Sequence, residues 1–360
     1  MIARATTGTN NQTLLHFLEQ VYFLKPEIAG GSPATKKFYL GQVRKADRYW
    51  QTLKPGQELM LADMSPELIT GSMAWCLQLG NSKPTANKIR RSLVAIWEHA
   101  KERGYLPDRP PKIGSFKEPK RDPEAWWDWE FEKMLQSACR LTGQLQTKSG
   151  GKIPRGEFAE ALLRVVYNSG SRISAAMSIR RDWIDLRSKR LVIVADVQKD
   201  AEDQTVALLP STVAALERLM EYDWETISDL WPYDCNVDAW PALDYLLRKI
   251  IVVAGLRGST ELREAVERGY FPRTEFDRDL KAEVTKAVDT KRLWHCIRRT
   301  FATMITAKSS IETAREMLGH SSIEVTKRYV DRSKLGEKSQ ADLLSDPAPF
   351  SLRVFHDDAG

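Results

Sequence analysis

Six side chains between positions 172 and 329 have the types that phosphoryl transfer requires: Arg172, Lys199, His295, Arg298, His320 and Tyr329. Guanidiniums can grip the non-bridging oxygens of a phosphate, and an ammonium or imidazole can hold or move a proton. A phenol can attack phosphorus. The most informative stretch is Leu318-Gly319-His320-Ser321-Ser322-Ile323-Glu324-Val325-Thr326-Lys327-Arg328-Tyr329. It follows His295-Cys296-Ile297-Arg298-Arg299-Thr300-Phe301-Ala302-Thr303. Cations, a histidine pair and a phenol in this order suit transfer of a phosphodiester to a tyrosine, which is chemistry done on nucleic acid.

Local patterns predict the elements that carry these residues. Ser321 and Glu324 have capping-box spacing, so a helix is expected to begin near Ser322. At about 100° per residue, Tyr329 lies about 240° from Ile323 on that helix, so it need not point into the local core. His295 and Arg298 stand three apart on another helix, about 60° from each other, with Ile297, Phe301 and Met304 as the opposite apolar stripe. Both are therefore expected to face away from the core. The segments 190–197 and 205–209 flank a polar turn and read as a β-hairpin, with Lys199 where the first strand enters the turn.

The rest of the chain reads as mostly helical. Residues 1–34 form an N-terminal segment with one amphipathic stretch, Leu14 to Leu24, before the breaker cluster Ala29-Gly30-Gly31-Ser32-Pro33. Helices are expected from Thr35 to Leu53, from the Ser65-Pro66 cap to Leu79, and from a Thr85 cap to Arg103, ended by Gly104. This 35–106 domain carries Lys88, Arg90, Arg91, Lys101 and Arg103 on one side of its last helix. Ile89, Leu93, Ile96 and Trp97 lie on the other. Prolines and alternating charges mark 107–124 as an extended linker. Helices over 130–141 and 158–169 open a second domain, 125–335. From Pro210 to Lys308 the chain is mostly helical, with breaks at Gly255–Gly258 and Gly269–Pro272. A tail, 336–360, contains Phe350-Ser351-Leu352-Arg353-Val354-Phe355, whose alternation suits an edge strand. Trp126, Trp127 and Trp129 cluster at the linker exit and read as core packing or a staple between domains rather than a base-stacking platform. The fold class is mainly α with a small β-hairpin or sheet.

Composition narrows the partners. A 360-residue chain exceeds the usual single-core size. Apolar residues are 42% and charged residues 28%, ordinary for a soluble globular protein. No apolar run approaches the roughly 20 residues that span a bilayer, and the first 30 residues lack the pattern of a signal peptide. The expectation is a cytoplasmic protein. Cys76, Cys139, Cys235 and Cys296 are far apart in sequence and read as reduced residues, neither a metal site nor a disulfide framework. The net charge is +6, and residues 1–110 hold all of it, with 15 Lys+Arg against 9 Asp+Glu. A basic patch there would meet phosphate backbones; a solvated helical surface would give the same count.

On these residues the chain resembles the tyrosine recombinases, or phage integrases. Gly170-Ser171-Arg172-Ile173-Ser174 looks like the family's first-arginine motif, His295-Cys296-Ile297-Arg298 like its H-x-x-R box, and Leu318-Gly319-His320 with Tyr329 like its final box. The resemblance covers about 126–335. The 35–106 segment is similar to the family's SAM-like core-binding domain in pattern only. One position departs: the family usually has an acidic residue three after the first arginine, and here it is Ala175.

The resemblance implies roles. Tyr329 would be the nucleophile, forming a 3′-phosphotyrosine. Arg172 and Arg298 would clamp the phosphate as negative charge gathers on it. Lys199 would protonate the leaving 5′ oxygen, and His295 and His320 would bond phosphate oxygens or assist proton transfer. No metal and no nucleotide cofactor are implied, and no third ligand at zinc spacing accompanies the histidines. The partner would be double-stranded DNA, wrapped by the two domains, with a homotetramer exchanging strands and C-terminal tails passing between subunits. Lys88, Arg90 and Arg91 would contact DNA. Integration or excision of a mobile element is the expected role, with a resolvase or chromosome-dimer enzyme as its near variant. A catalytically degenerate DNA-binding protein of the same fold is the alternative. An RNA-binding helical protein finds little support, because no aromatic single-strand platform is visible.

Overall fold

The computed structural model describes residues 12–31, 33–118, 123–198, 202–232, 240–267, 275–289 and 293–335. Lys199, Cys235, the expected break at Gly269–Pro272 and the whole tail from 336 lie outside the described residues. The chain divides into two compact units, Met1–Lys120 and Arg121–Gly360.

The first unit is built of helices α1 (Leu14–Gln20), α2 (Pro26–Ala29), α3 (Pro33–Leu53), α4 (Pro66–Gln78) and α5 (Lys83–Glu102). Leu14, Phe17 and Leu18 of α1 share one core with Val43, Trp50, Ile69, Met73, Ile89, Leu93 and Ile96, because a short amphipathic helix must bury its apolar stripe against something. α4 starts where its cap chemistry requires: Ser65 accepts from the Leu68 amide at 3.1 Å, and Pro66 opens the first turn. α5 begins earlier than the Thr85 cap implied. Ser82 takes the cap position, Pro84 fits the first turn, and the Ser82 and Thr85 hydroxyls lie 3.0 Å apart.

Residues 105–118 lie along α5. Asn87 pairs with the Phe116 backbone through two 2.9 Å bonds, Arg90 donates to the Ile113 carbonyl at 3.1 Å, and Trp97 donates to the Asp108 carbonyl at 2.9 Å. An extended proline-rich strand cannot satisfy its own backbone groups, so helix side chains do so. Arg90 is thereby committed within its own unit. Lys88 is half-buried and Arg91 exposed on the same helix.

The second unit orders α6 (Asp128–Ala138), β1 (Gln144–Gln146), β2 (Lys152–Pro154), α7 (Arg155–Ser169), α8 (Ile173–Met177), β3 (Ile184–Asp185), β4 (Arg190–Ile193) and β5 (Gln204–Ala207). There follow α9 (Pro210–Leu219), α10 (Trp240–Val253), α11 (Thr260–Glu267), α12 (Glu275–Ala287), α13 (Leu293–Lys308), α14 (Ile311–Met317) and α15 (Ile323–Thr326). The architecture is mainly helical, as the sequence implied, with two small antiparallel sheets among the described residues. The expected hairpin is β4–β5, registered from Arg190↔Ala207 to Ile193↔Gln204, with the short β3 added on the other side of β4. A second hairpin, β1–β2, pairs Leu145 with Ile153 and was not foreseen.

α7 runs through the core of this unit and buries Phe158, Leu162, Leu163, Val165 and Val166. α13 packs Leu293, Trp294, Cys296 and Ile297 into the same core. The three tryptophans separate. Trp126 is buried in this core, whereas Trp127 and Trp129 are exposed under Lys334 and Lys133, whose ammonium groups sit 4.8 and 5.1 Å from the ring centres. No helix among the described residues is long and apolar enough to cross a membrane.

Candidate active site

Two helix ends converge on one guanidinium. α7 stops at Gly170, which adopts the left-handed conformation at φ 61°. The chain then turns through Ser171 to Arg172, the half-buried N-cap of α8. α14 stops at Leu318. There the left-handed Gly319 (φ 64°) closes a Schellman turn, with its amide on the Glu316 carbonyl at 3.1 Å and the His320 amide on Arg315 at 3.0 Å. Arg298 of α13 reaches both ends. Nη1 donates to the Gly170 carbonyl at 2.5 Å, and Nη2 donates to the Leu318 carbonyl at 3.1 Å and to His320 Nε2 at 2.8 Å.

Arg298 does not face away from the core, as helical periodicity implied; it is only 2% exposed. Each helix C-terminus carries roughly half a negative charge, so two of them offset much of the cost of burying a cation. Periodicity treats arginine as polar and cannot register this pull.

A guanidinium only donates, so His320 Nε2 must accept. The ring proton is therefore assigned to Nδ1, which faces Thr326 Oγ1 at 3.0 Å; that hydroxyl lies 3.4 Å from the Ser322 carbonyl. His320 is buried and neutral in this arrangement. Its ring lies 4.9 Å from that of Tyr329, and the Arg298 guanidinium carbon is 5.3 Å from the Tyr329 ring centre. Arginine, histidine and tyrosine thus meet at one point.

Tyr329 is not on a continuing helix. Ser322, rather than Ser321, caps α15, accepting from Val325 at 3.4 Å, and α15 ends at Thr326. Tyr329 sits half-buried in the next turn, its amide on the Thr326 carbonyl at 2.8 Å. Asp331 anchors the far side. Its amide donates to Thr303 Oγ1 of α13 at 2.9 Å, and its carboxylate accepts from Ala125 at 3.2 Å and from the Ser333 hydroxyl at 2.7 Å. Both flanks of Tyr329 are therefore tied to elements that also support Arg298.

His295 stands one turn before Arg298 on α13 and is half-buried. Lys199 lies outside the described residues, and Lys88, Arg90 and Arg91 belong to the other unit. Ala175 is buried in the core at 4% exposure, so a carboxylate there would be desolvated. Two neighbouring groups are poor nucleophiles. Burial pushes the Cys296 thiol up to about 11. Burial, then nearby Asp128, pushes the Tyr167 phenol up to about 12, and that phenol already donates to Met304 Sδ at 2.8 Å. Among the described residues no three His, Cys, Asp or Glu side chains gather as a metal site.

Within this site Gly170 carries a tight steric requirement. A Cβ there would stand 2.5 Å from the Phe301 ring, in a backbone conformation that side chains resist. Gly170→Ala is expected to lose about 2–4 kcal/mol of stability, from a strained left-handed residue plus overpacking. A urea melt measures it, and a loss below 1 kcal/mol would refute the close approach.

No protein-family model matches the chain, and no curated protein does either. Solved structures do. A lambda integrase dimer bound to a COC′ core site matches with TM-score 0.57 at 16% identity, over 91% of this chain and 99% of that one. Tn1549 transposon integrase in complex with transposon right end DNA matches with TM-score 0.58 at 13% identity, over 88% and 94%. XerH site-specific recombinase bound to difH substrate matches with TM-score 0.55 at 18% identity, over 86% and 80%. The fold is that of the tyrosine recombinases.

Within this tyrosine-recombinase fold, three residues of the site were invisible to motif reading. Thr326 fixes the His320 ring, Thr303 holds the Asp331 backbone, and Asp331 braces the turn after Tyr329. Only Thr326, six residues after His320 on a capped turn, left a local trace.

Proposed function

We propose that this protein is a site-specific DNA recombinase that cuts and rejoins duplex DNA through a 3′-phosphotyrosine. The observation that carries the reading is the meeting of Arg298, His320 and Tyr329 at two convergent helix ends. Arg172, two residues beyond the Gly170 carbonyl that Arg298 holds, completes the phosphate clamp. The Tyr329 oxygen attacks phosphorus as its proton passes to His295 or to solvent. The bond from phosphorus to the 5′ oxygen breaks, and Lys199 supplies the proton that makes a 5′ hydroxyl. A 5′ hydroxyl from a partner strand then reverses the step, releasing Tyr329 and joining the new strands. Arg172, Arg298 and His295 stabilise the charge on the non-bridging oxygens. His320, with its Nε2 turned to Arg298, holds that guanidinium in place. Two rounds of exchange need four protomers on DNA. Integration or excision of a mobile element is the role proposed for them.

Covalent trapping tests the chemistry. Wild type and Tyr329→Phe are incubated with nicked duplexes drawn from DNA flanking the gene and resolved on denaturing gels. A protease-sensitive shifted band in wild type alone is expected. DNA binding with no band in either would leave a DNA-binding protein of the same fold.

The C-terminal tail is proposed to join protomers. Beside the site lies a cavity of about 490 Å³ lined by Phe301, Met304, Ile305 and Met317, with Glu202, Asp203 and Glu316 among its polar residues. The apolar segment around Leu352-Arg353-Val354-Phe355 suits it in polarity and charge. Deleting residues 346–360 should reduce the size of the assembly on DNA in light scattering, while binding of a single half-site persists. An unchanged assembly would reject tail exchange.

A further inference from the structure

Arg298 is not alone in bridging the two helix ends. It takes the carbonyls of Gly170 and Leu318, and Gln204 takes the carbonyl one residue earlier on each. Gln204 Nε2 donates to Ser169 at 3.0 Å and to Met317 at 2.7 Å. Ser169 is the last residue of α7 and Met317 the last of α14, so these are helix-terminal carbonyls with no partner further along their own helix. Both acceptors are oxygens, so only the amide nitrogen of Gln204, with its two hydrogens, can satisfy them. The two bridging side chains come from different elements. Arg298 is on α13, and Gln204 is the first residue of β5, opposite Ile193.

The hairpin that Gln204 belongs to is the one whose turn carries Lys199 in the sequence. The ends of that turn are closed by side chains. Gln198 Nε2 donates to Ile193 at 3.1 Å and to Glu202 at 3.0 Å, and the Ala195 amide donates to Asp203 Oδ1 at 2.7 Å. Further along β5, Asn168 of α7 donates to the Ala207 carbonyl at 2.9 Å and accepts from Leu209 at 2.7 Å. Gln204 is thus one point where the lysine hairpin is fastened to the helix ends that also hold the phosphate clamp.

We infer that Gln204 is a positioning residue that sets the Lys199 hairpin in register with the Arg298 clamp, so that the proton reaches the leaving oxygen of the phosphate that the clamp holds. The inference rests on the proposed recombinase reading. It assigns Gln204 no contact with DNA. Loss of its bridge should slow proton delivery to the leaving group more than phosphate binding or attack.

Gln204→Met removes both donors at nearly the same volume, and Gln204→Asn keeps the amide on a shorter stem. Single-turnover cleavage is measured on two nicked duplexes, one ordinary and one with sulfur in place of the bridging 5′ oxygen. A thiolate leaves without needing a proton. With the ordinary duplex, Gln204→Met should cleave at least tenfold more slowly at saturating protein, with DNA affinity within about twofold of wild type and a cooperative melt whose midpoint falls modestly, since two carbonyls lose their donor. With the sulfur duplex it should recover to near the wild-type rate. Gln204→Asn should fall between the two. Wild-type rates on the ordinary duplex, or equal slowing on both, would overturn the assignment. If Gln204→Met does not fold, the ratio of the two substrates in Gln204→Asn decides alone. Failure of wild type to cleave either duplex would instead defeat the recombinase reading itself, which separates the two outcomes.

Discussion

Tyr329→Phe will fold, bind duplex DNA as wild type does and trap no covalent complex. The substitution removes one oxygen and keeps the ring. The ring contacts are those that pack it: His320 at 4.9 Å and the Arg298 guanidinium carbon at 5.3 Å. A phenylalanine face attracts a cation much as a tyrosine face does, so the stability change should stay within about 1 kcal/mol. What disappears is the nucleophile, and the thiol and phenol near it among the described residues are poor substitutes. Cys296 is buried and its thiol is pushed up to about 11, and the Tyr167 phenol is engaged with Met304. Trapping on nicked duplexes beside a urea melt measures both quantities. A surviving protease-sensitive band in the phenylalanine variant would move the chemistry to another residue.

Arg298→Ala should fail in both respects. Removing the guanidinium strips donors from the Gly170 and Leu318 carbonyls and from His320 Nε2, all at a buried junction. Leaving such acceptors bare while two helix ends still face one another should destabilise the unit by about 3–5 kcal/mol. Cleavage should fall at least about 10²–10³-fold as the stabilising charge is lost. Arg298→Lys separates the two losses. It restores a charge near the phosphate, but one ammonium cannot reproduce the planar fork that spans three acceptors, so part of the stability should return and little of the rate. Urea midpoints and single-turnover rates on the same preparations measure this. An alanine variant as stable as wild type would show that the convergence of α7 and α14 does not depend on Arg298.

Much of the fold could be read from the sequence where its determinants are local. Ser65 and Pro66 start α4 where cap chemistry puts them, and alternating apolar residues located the β4–β5 hairpin to within a few residues of its ends. Gln144-Leu145-Gln146 is too short and polar for such alternation, and β1 was missed. Extrapolating one helix from Ser322 to Tyr329 failed for a related reason. The pattern carried no stop signal, yet the backbone leaves the helix at Thr326.

The candidate site divides along the same line. Motif spacing picked out Arg298, His320 and Tyr329, and the fold brings them together. Their supports did not show. Arg298 is held by residues 128 and 20 positions away, and Gln204 reaches one residue 35 positions back and another 113 ahead. No window along the chain contains both ends of such a bond.

The bonds that gather this centre end largely on main-chain oxygens: Gly170 and Leu318 for Arg298, Ser169 and Met317 for Gln204. A carbonyl is supplied by every residue type. Most side chains along the two helix ends can therefore change without cutting a single one of these bonds, provided that the backbone keeps its path. Gly170 is the exception, since it must leave room for Phe301. An architecture stitched in this way can drift far in its letters while keeping its shape. Such bonding is compatible with a fold shared with solved structures at only 13% to 18% identity.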